Sequence, residues 1–273
     1  MKTLYISDLD GTLLNSSAEL SEYTINTLNA LISDGVYFSV ATARTAATSA
    51  VMLERVAVNV PIILMNGVLI YDLQKKNYIK KDILSRSAAE QIIGILKQTG
   101  QSGLMYTLDN GEMTVYYERL GTKYLRDFVE ERVLRYNKKF TQTDDFAEVE
   151  ADIIYFTFMD SGDNIRQIYD AVKNINGINT EMYRDIYSED FWYLEIFSET
   201  ASKYNAAQFL RSEYGFDKIV GFGDNLNDIP LFKACDECYA VGNAKNEVKE
   251  KATAVIGSNG GDGVAKWMEG NIS

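Results

Sequence analysis

Asp8 and Asp10 stand two apart where the apolar run Leu4-Tyr5-Ile6 ends, in the segment Asp8-Leu9-Asp10-Gly11-Thr12. Residues two apart on an extended strand face the same way, so both carboxylates can address one point. Converging carboxylates repel, and the arrangement becomes useful only when a cation, a proton or a substrate answers the charge. Three further polar clusters have the same character: Thr42 with Arg44, Ser202 with Lys203, and Gly223-Asp224-Asn225-Leu226-Asn227-Asp228. Each falls at the end of a predicted strand or the start of a predicted helix. In a doubly wound sheet the carboxyl ends of the strands line one crevice where ligands bind, and the four clusters are expected to meet there.

The chain contains no histidine. Ser-His-Asp and Cys-His catalysis and His-ligated zinc are thereby excluded, and proton transfer near neutral pH falls to a carboxylate, a lysine, a tyrosine or a cysteine. Cys235 and Cys238 form a lone C-x-x-C with no second pair, which reads as buried reduced thiols rather than a zinc site. A formal net charge of -12 argues against nucleic acid or an anionic membrane as partner, because either needs a basic surface. Small phosphorylated molecules remain possible. Asp8 and Asp10 interrupt any signal-peptide core, and no apolar run reaches the length of about 18 residues that a membrane span needs, so a cytoplasmic location is expected.

The elements that must position these residues follow from periodicity. The first 70 residues or so alternate between strand and helix patterns: a strand at 3–7, a helix at 21–34 started by Ser21 and ended at Asp34-Gly35, a strand at Val36–Ala41, a helix at about 45–57, and the run Ile62–Met65. This order argues for a parallel sheet with helices on its faces. Asn66-Gly67 then introduces a short β excursion, Val68–Tyr71, at the sheet's edge. From about residue 82 to 195 adjacent strands mix with helices, which suggests an α+β unit. That segment holds 21 acidic against 12 basic residues and ten of the 18 tyrosines, a composition shift that supports a second domain inserted into the first. From Ser202 the βα alternation resumes. The expected architecture is an α/β, doubly wound parallel-sheet (Rossmann-like) core from residues 1–81 and 196–273, with an inserted α+β cap at 82–195.

With those motifs in place, the chain closely resembles the haloacid dehalogenase superfamily of phosphohydrolases, and within it the Cof-type group with a large α+β cap. The D-x-D-G-T and G-D-x-x-N-D pair, with a lysine between, carries the resemblance over nearly the full length. It implies a Mg²⁺-dependent phosphatase of small phosphomonoesters, such as sugar phosphates or phosphorylated cofactors. A phosphate dianion repels an attacking carboxylate by roughly 4 kcal/mol per charge pair at about 4 Å and an effective dielectric near 20, so compensation has to be local. An all-oxygen cation site suits Mg²⁺.

The resemblance assigns roles residue by residue. Asp8 is the nucleophile that forms an aspartyl phosphate, and Asp10 is the acid and base, a role that asks for a raised pKa supplied by burial beside other acids. Asp8, Asp224 and the Asp10 backbone carbonyl are metal ligands, with Asp228 acting through water. Lys203, Thr42 and the backbone amides from Leu9 onward bind the phosphoryl oxygens. Asn227 holds Lys203 or a phosphoryl oxygen, and Arg44 reaches towards substrate. Ala43 stands where relatives carry glycine, which puts the local backbone and the reach of Arg44 in question.

Softer matches carry bland alternatives. Asn66-Gly67 reads equally as a family loop or a plain turn, Asn243 as a phosphate-proximal residue or a helix cap, and Asn227 and Asp228 as caps. Tyr183, Tyr187, Phe191, Trp192 and Tyr193 are expected mainly to pack within the cap, one or two of them lining a pocket. The run Lys123, Arg126, Arg132, Arg135, Lys138 and Lys139, interleaved with acids, reads as a solvated helix face. A phosphomutase of the same fold, or a phospho-accepting signalling or binding module, are the competing functions.

Overall fold

The computed structural model describes residues 1–184 and 191–272. In chain order the elements are β1 (Thr3–Ser7), α1 (Glu22–Ser33), β2 (Tyr37–Val40), α2 (Ala46–Leu53), β3 (Ile62–Leu64), β4 (Leu69–Asp72) and β5 (Asn77–Lys81). There follow α3 (Arg86–Thr99), β6 (Leu104–Asp109), β7 (Glu112–Tyr117), α4 (Lys123–Tyr136), β8 (Thr141–Gln142), β9 (Ile153–Asp160), α5 (Gly162–Val172), β10 (Ile178–Arg184) and β11 (Trp192–Ser198). The last stretch adds α6 (Lys203–Tyr214), β12 (Lys218–Gly223), α7 (Ile229–Ala234), β13 (Glu237–Ala240), α8 (Asn246–Lys249), β14 (Ala254–Val255) and α9 (Gly263–Asn271). Two compact units result: Met1–Lys80 with the chain from Ser202 onward, and Lys81–Ala201.

The first unit is built on a parallel five-stranded sheet in the order β14-β13-β12-β1-β2. Leu4 and Ile6 of β1 are fully buried and pack with Ile219 of β12 and with Ala206, Ala207 and Leu210 of α6. Strands covered on both faces read as continuous apolar runs, which is why β1 and β12 were legible. The run at Ile62 behaves differently from expectation. β3 touches the parallel sheet only through the Ala41–Ile63 bridge and otherwise pairs antiparallel with β4, in a small sheet completed by β5. The reason is local: Met65 and Asn66 adopt left-handed backbone (φ 49° and 55°), which turns the chain back after three strand residues.

The second unit holds a six-stranded sheet in the order β10-β11-β9-β6-β7-β8, antiparallel except for β7 with β8. Ile92 and Leu96 of α3 and Ile165, Ile168 and Val172 of α5 bury one face of it against Met105, Phe156, Phe158, Leu194 and Ile196. Tyr187 lies outside the described residues. Cys238 is buried as expected, whereas Cys235 is only partly buried; both are free thiols. Among the described residues no helix is long and apolar enough to cross a membrane.

Candidate active site

Parallel pairing of β1 with β12 sets Ser7 beside Phe222, so the residues that follow the two strands, Asp8 and Asp224, emerge at the same sheet edge. The Asp8 amide closes this pairing by donating to the Phe222 carbonyl at 3.0 Å. After Asp8 the chain winds through a tight turn at Leu9–Leu13, where Gly11 has φ 79°. A Cβ at Gly11 would stand 2.5 Å from Asp224 Oδ2, so glycine is required both for the backbone angle and for the approach of that carboxylate. The Thr12 hydroxyl donates to Asp224 Oδ1 at 2.9 Å and fixes its orientation.

Lys203 comes from the first turn of α6, which Ser202 caps by accepting the Asn205 amide at 3.0 Å. Its ammonium is 1% exposed and donates to Asp8 Oδ1 and to Asp228 Oδ1, both at 2.7 Å. The start of α6 is seated by the loop after β3. Gly67 has φ 103°, and a Cβ there would meet the Ser202 carbonyl oxygen at 2.2 Å. The Asn66-Gly67 pair is therefore more than a turn, because it lets one backbone pass hard against the helix that delivers the lysine.

Asp228 is fully buried, and both of its oxygens are engaged by protein: Oδ1 by Lys203, and Oδ2 by the amides of Asp224 at 2.9 Å and Asn225 at 3.0 Å. The capping reading and the site reading of Asp228 hold together, since one carboxylate ties the turn and anchors the lysine. Asn227 is not on Lys203; its amide donates to Asn66 Oδ1 at 3.3 Å and links the two loops. Thr42 is buried, its amide donating to Ile63 and its carbonyl accepting from Asn66.

Asp10 departs most from expectation. Burial beside the other acids was expected, but its side chain is 49% exposed and held by the Arg44 guanidinium through two 2.7 Å hydrogen bonds. The turn after Asp8 carries Asp10 outward, away from the cluster that Asp8 forms with Asp224 and Asp228. Ala43 does not prevent Arg44 from turning back to this segment. Asn243 is not a helix cap, since α8 begins after Lys245. Its side chain bridges the Gly11 carbonyl (2.7 Å) and the Asn259 amide (2.9 Å). Asn259, which in turn donates to the Leu14 carbonyl at 2.9 Å, was passed over in the sequence; its only signal was the turn-forming string Ser258-Asn259-Gly260-Gly261.

Asp8, Asp224 and Asp228 place carboxylate oxygens within 4.8 Å of one another. At that separation each like-charged pair costs roughly 3.5 kcal/mol at an effective dielectric of about 20. Burial pushes the Asp8 carboxyl well above the ordinary range, with Asp228 and Asp224 adding to it and Lys203 opposing. Burial and Asp228 push Asp224 up to about 6 against the pull of Thr12. Burial alone would lower the Lys203 ammonium, but Asp228 and Asp8 outweigh it and hold the ammonium above its ordinary value. A buried site with a surplus of all-oxygen anionic donors fits a hard divalent cation. Asp8 and Asp224 are the two members that fit as ligands, because the protein's own donors occupy Asp228.

A model of the haloacid dehalogenase-like hydrolase family matches residues 5–268. The pyridoxal phosphate phosphatase YbhA of Escherichia coli is 25% identical over 272 residues, covering 97% of each chain. The 5-amino-6-(5-phospho-D-ribitylamino)uracil phosphatase YitU of Bacillus subtilis is 23% identical, covering 96% of this chain and 94% of its own. The crystal structure of TM0651 from Thermotoga maritima superposes with a TM-score of 0.80 at 23% identity, covering 100% of this chain and 98% of that one. The parallel-sheet core and the acids gathered at its edge thus coincide with a family match spanning nearly the whole sequence: the chain belongs to the haloacid dehalogenase-like hydrolases and, within them, to the Cof-type phosphohydrolases.

Proposed function

We propose that the protein is a Mg²⁺-dependent phosphatase of small phosphomonoesters that works through an aspartyl phosphate on Asp8. The observation that carries the reading is the bridge of Lys203 between Asp8 and Asp228, because it joins three separate stretches of chain and engages Asp8 through Oδ1, Oδ2 having no hydrogen-bond partner among the described residues. The relatives support it: pyridoxal phosphate and 5-amino-6-(5-phospho-D-ribitylamino)uracil, named for YbhA and YitU, are both small phosphomonoesters.

In this reading Asp8 Oδ2 attacks phosphorus while Oδ1 stays fixed by Lys203, so the nucleophile enters already oriented. The Lys203 ammonium also offsets the charge gathering on the phosphoryl oxygens, and the Thr42 hydroxyl and the amides from Leu9 onward donate to them. Asp8 and Asp224 would hold a divalent cation, whose chemistry there would be to offset the negative charge of the phosphoryl group. Asp10, standing in solvent rather than in the acid cluster, gives a proton to the leaving oxygen and later takes one from the attacking water. Arg44 occupies both oxygens of Asp10, so this proton traffic requires the guanidinium to shift from the carboxylate to the phosphoryl group. Asp228 is a positioning residue for Lys203 and for the Asp224 loop.

The test is phosphate release from a panel of phosphorylated metabolites with and without Mg²⁺, together with intact mass of protein quenched during turnover. The expected result is metal-dependent release, a transient phosphate adduct, and loss of both in Asp8→Asn. Release that persists in chelator, or that survives Asp8→Asn, refutes the reading.

A further inference from the structure

A cleft of about 160 Å³ opens in the first unit, away from the acid cluster. Three pieces of chain enclose it: residues 58–61 ahead of β3, the turn at 72–75 that leads from β4 to β5, and Tyr214, the last residue of α6. Lys203 is the first residue of that twelve-residue helix, so the cleft lies about 18 Å from it along the helix axis. Part of the lining is apolar: Val58 and Val60, 5% and 4% exposed, with Pro61 and Leu73. A cavity of about 150 Å³ takes a ring the size of benzene, so a body of about six carbon atoms matches the space here.

The polar part of the lining has donors in surplus. Its one carboxylate, Asp72, is already answered: Oδ1 accepts the amides of Gln74 at 3.0 Å and Lys75 at 2.9 Å, and Oδ2 meets the Lys75 ammonium at 3.2 Å. That ammonium carries three N–H groups and keeps the others for solvent or a ligand. The Tyr214 hydroxyl has no hydrogen-bond partner among the described residues. Burial, with Asp72 adding to it and Lys75 opposing, holds this phenol above its ordinary pKa, so it stays a donor at neutral pH. The Gln74 side-chain amide reaches the Val58 carbonyl only at 3.5 Å, beyond the usual range of such a bond. Open donors beside an apolar wall match a ligand that brings both an apolar body and an anionic acceptor, and a carboxylate accepts such donors more strongly than a neutral group does.

We propose that this cleft binds a small monocarboxylate with an apolar body of about six carbons, its carboxylate on the Tyr214 hydroxyl and the Lys75 ammonium and its body against Val58, Val60 and Leu73. Inorganic phosphate lacks the apolar body and an uncharged alcohol lacks the anionic acceptor, so both are selected against. The site is separate from the hydrolytic one, and the inference stands or falls independently of the phosphatase reading.

The experiment titrates the full-length protein with three probes, cyclohexanecarboxylate, cyclohexylmethanol and acetate, by ligand-observed NMR. Cyclohexanecarboxylate is expected to bind at least tenfold more tightly than cyclohexylmethanol, which has the body without the charge, and than acetate, which has the charge without the body. Tyr214→Phe deletes the hydroxyl and keeps the ring, and Lys75→Met deletes the ammonium of an exposed side chain; each is expected to weaken cyclohexanecarboxylate at least threefold. Saturating inorganic phosphate with Mg²⁺ is expected to leave that binding unchanged, as is Asp8→Asn. No detectable binding of cyclohexanecarboxylate, equal binding of the three probes, or two variants that bind like the parent overturns the proposal. Displacement by inorganic phosphate overturns it as well, since it would place the carboxylate in the acid cluster.

Discussion

Replacing Lys203 with methionine keeps much of the side-chain volume while removing the one cation that Asp8 and Asp228 share. Both ion pairs are 2.7 Å long, and the three side chains are 1%, 7% and 0% exposed, so water cannot take over the charge. Breaking a buried pair from one side costs roughly 3–5 kcal/mol, and here two carboxylates are orphaned at once. We expect Lys203→Met to lose about 4 kcal/mol of stability near pH 8 in chelator. The loss should depend on pH with a definite sign. Asp8 and Asp224 already sit above the ordinary carboxylate value of 3.8, Asp224 at about 6. A carboxyl whose folded-state pKa is raised imposes no penalty below its unfolded value, a growing one as pH rises between the two, and the full one above the folded value. Without the ammonium these folded values climb further, so the deficit should be smallest near pH 4 and should widen steadily towards pH 8. The parent Lys203 pair, with a raised lysine pKa, is constant across this window and fades only in strong alkali. Urea unfolding of both proteins across that range measures the difference. A deficit below about 1 kcal/mol, the size of an exposed pair, or one that is flat with pH, would refute the claim that the lysine neutralises a buried acidic cluster.

Three other outcomes follow from the geometry. Gly67→Ala forces a Cβ to 2.2 Å from the Ser202 carbonyl at φ 103°, and is expected to cost roughly 2–3 kcal/mol, whereas Gly35→Ala, at φ 95° with open space around it, should cost only about 1 kcal/mol; melting curves of the two variants compare them. Arg44→Lys should change stability by less than about 1 kcal/mol, because the pair is partly exposed, yet slow turnover, because an ammonium cannot grip a carboxylate or phosphoryl group with a planar fork; steady-state kinetics beside the melting curve separates the two effects. Binding of a divalent cation should weaken as pH falls through about 6 and should release protons below neutrality, because Asp224 must ionise to ligate; calorimetry in two buffers of different ionisation heat counts those protons, and a proton count of zero contradicts Asp224 as ligand.

Sequence periodicity located the parallel core well because its strands are short, doubly covered and apolar, as at Leu4–Ile6 and Ile219–Phe222. It misplaced β3 because three apolar residues cannot reveal which neighbour they pair with; left-handed Met65 and Asn66 decide that. It missed β5, whose sequence Asn-Tyr-Ile-Lys-Lys has the composition of an exposed ribbon. The site residues were legible as types at strand ends, yet their partners were not. That Arg44 would take Asp10, that Asn227 would reach Asn66 rather than Lys203, and that Asp228 would spend both oxygens on protein are outcomes of loop paths. Such paths depend on close backbone approaches at Gly11 and Gly67, and spacing along the chain does not encode those distances.

The position of β1 has a consequence for biosynthesis. This strand leaves the ribosome long before β12, yet it lies inside the sheet, with β2 on one side and β12 on the other. Its second neighbour is made some two hundred residues later, which at about 5–20 residues per second is a wait on the order of 10–40 s. During that interval the Lys81–Ala201 unit, contiguous in sequence, can complete its own sheet, while the nascent first unit keeps an apolar strand edge open to any other chain it meets. Productive expression should therefore respond to translation speed through codons 81–201 and to chaperones that shield strand edges, even though the finished molecule hides that edge entirely.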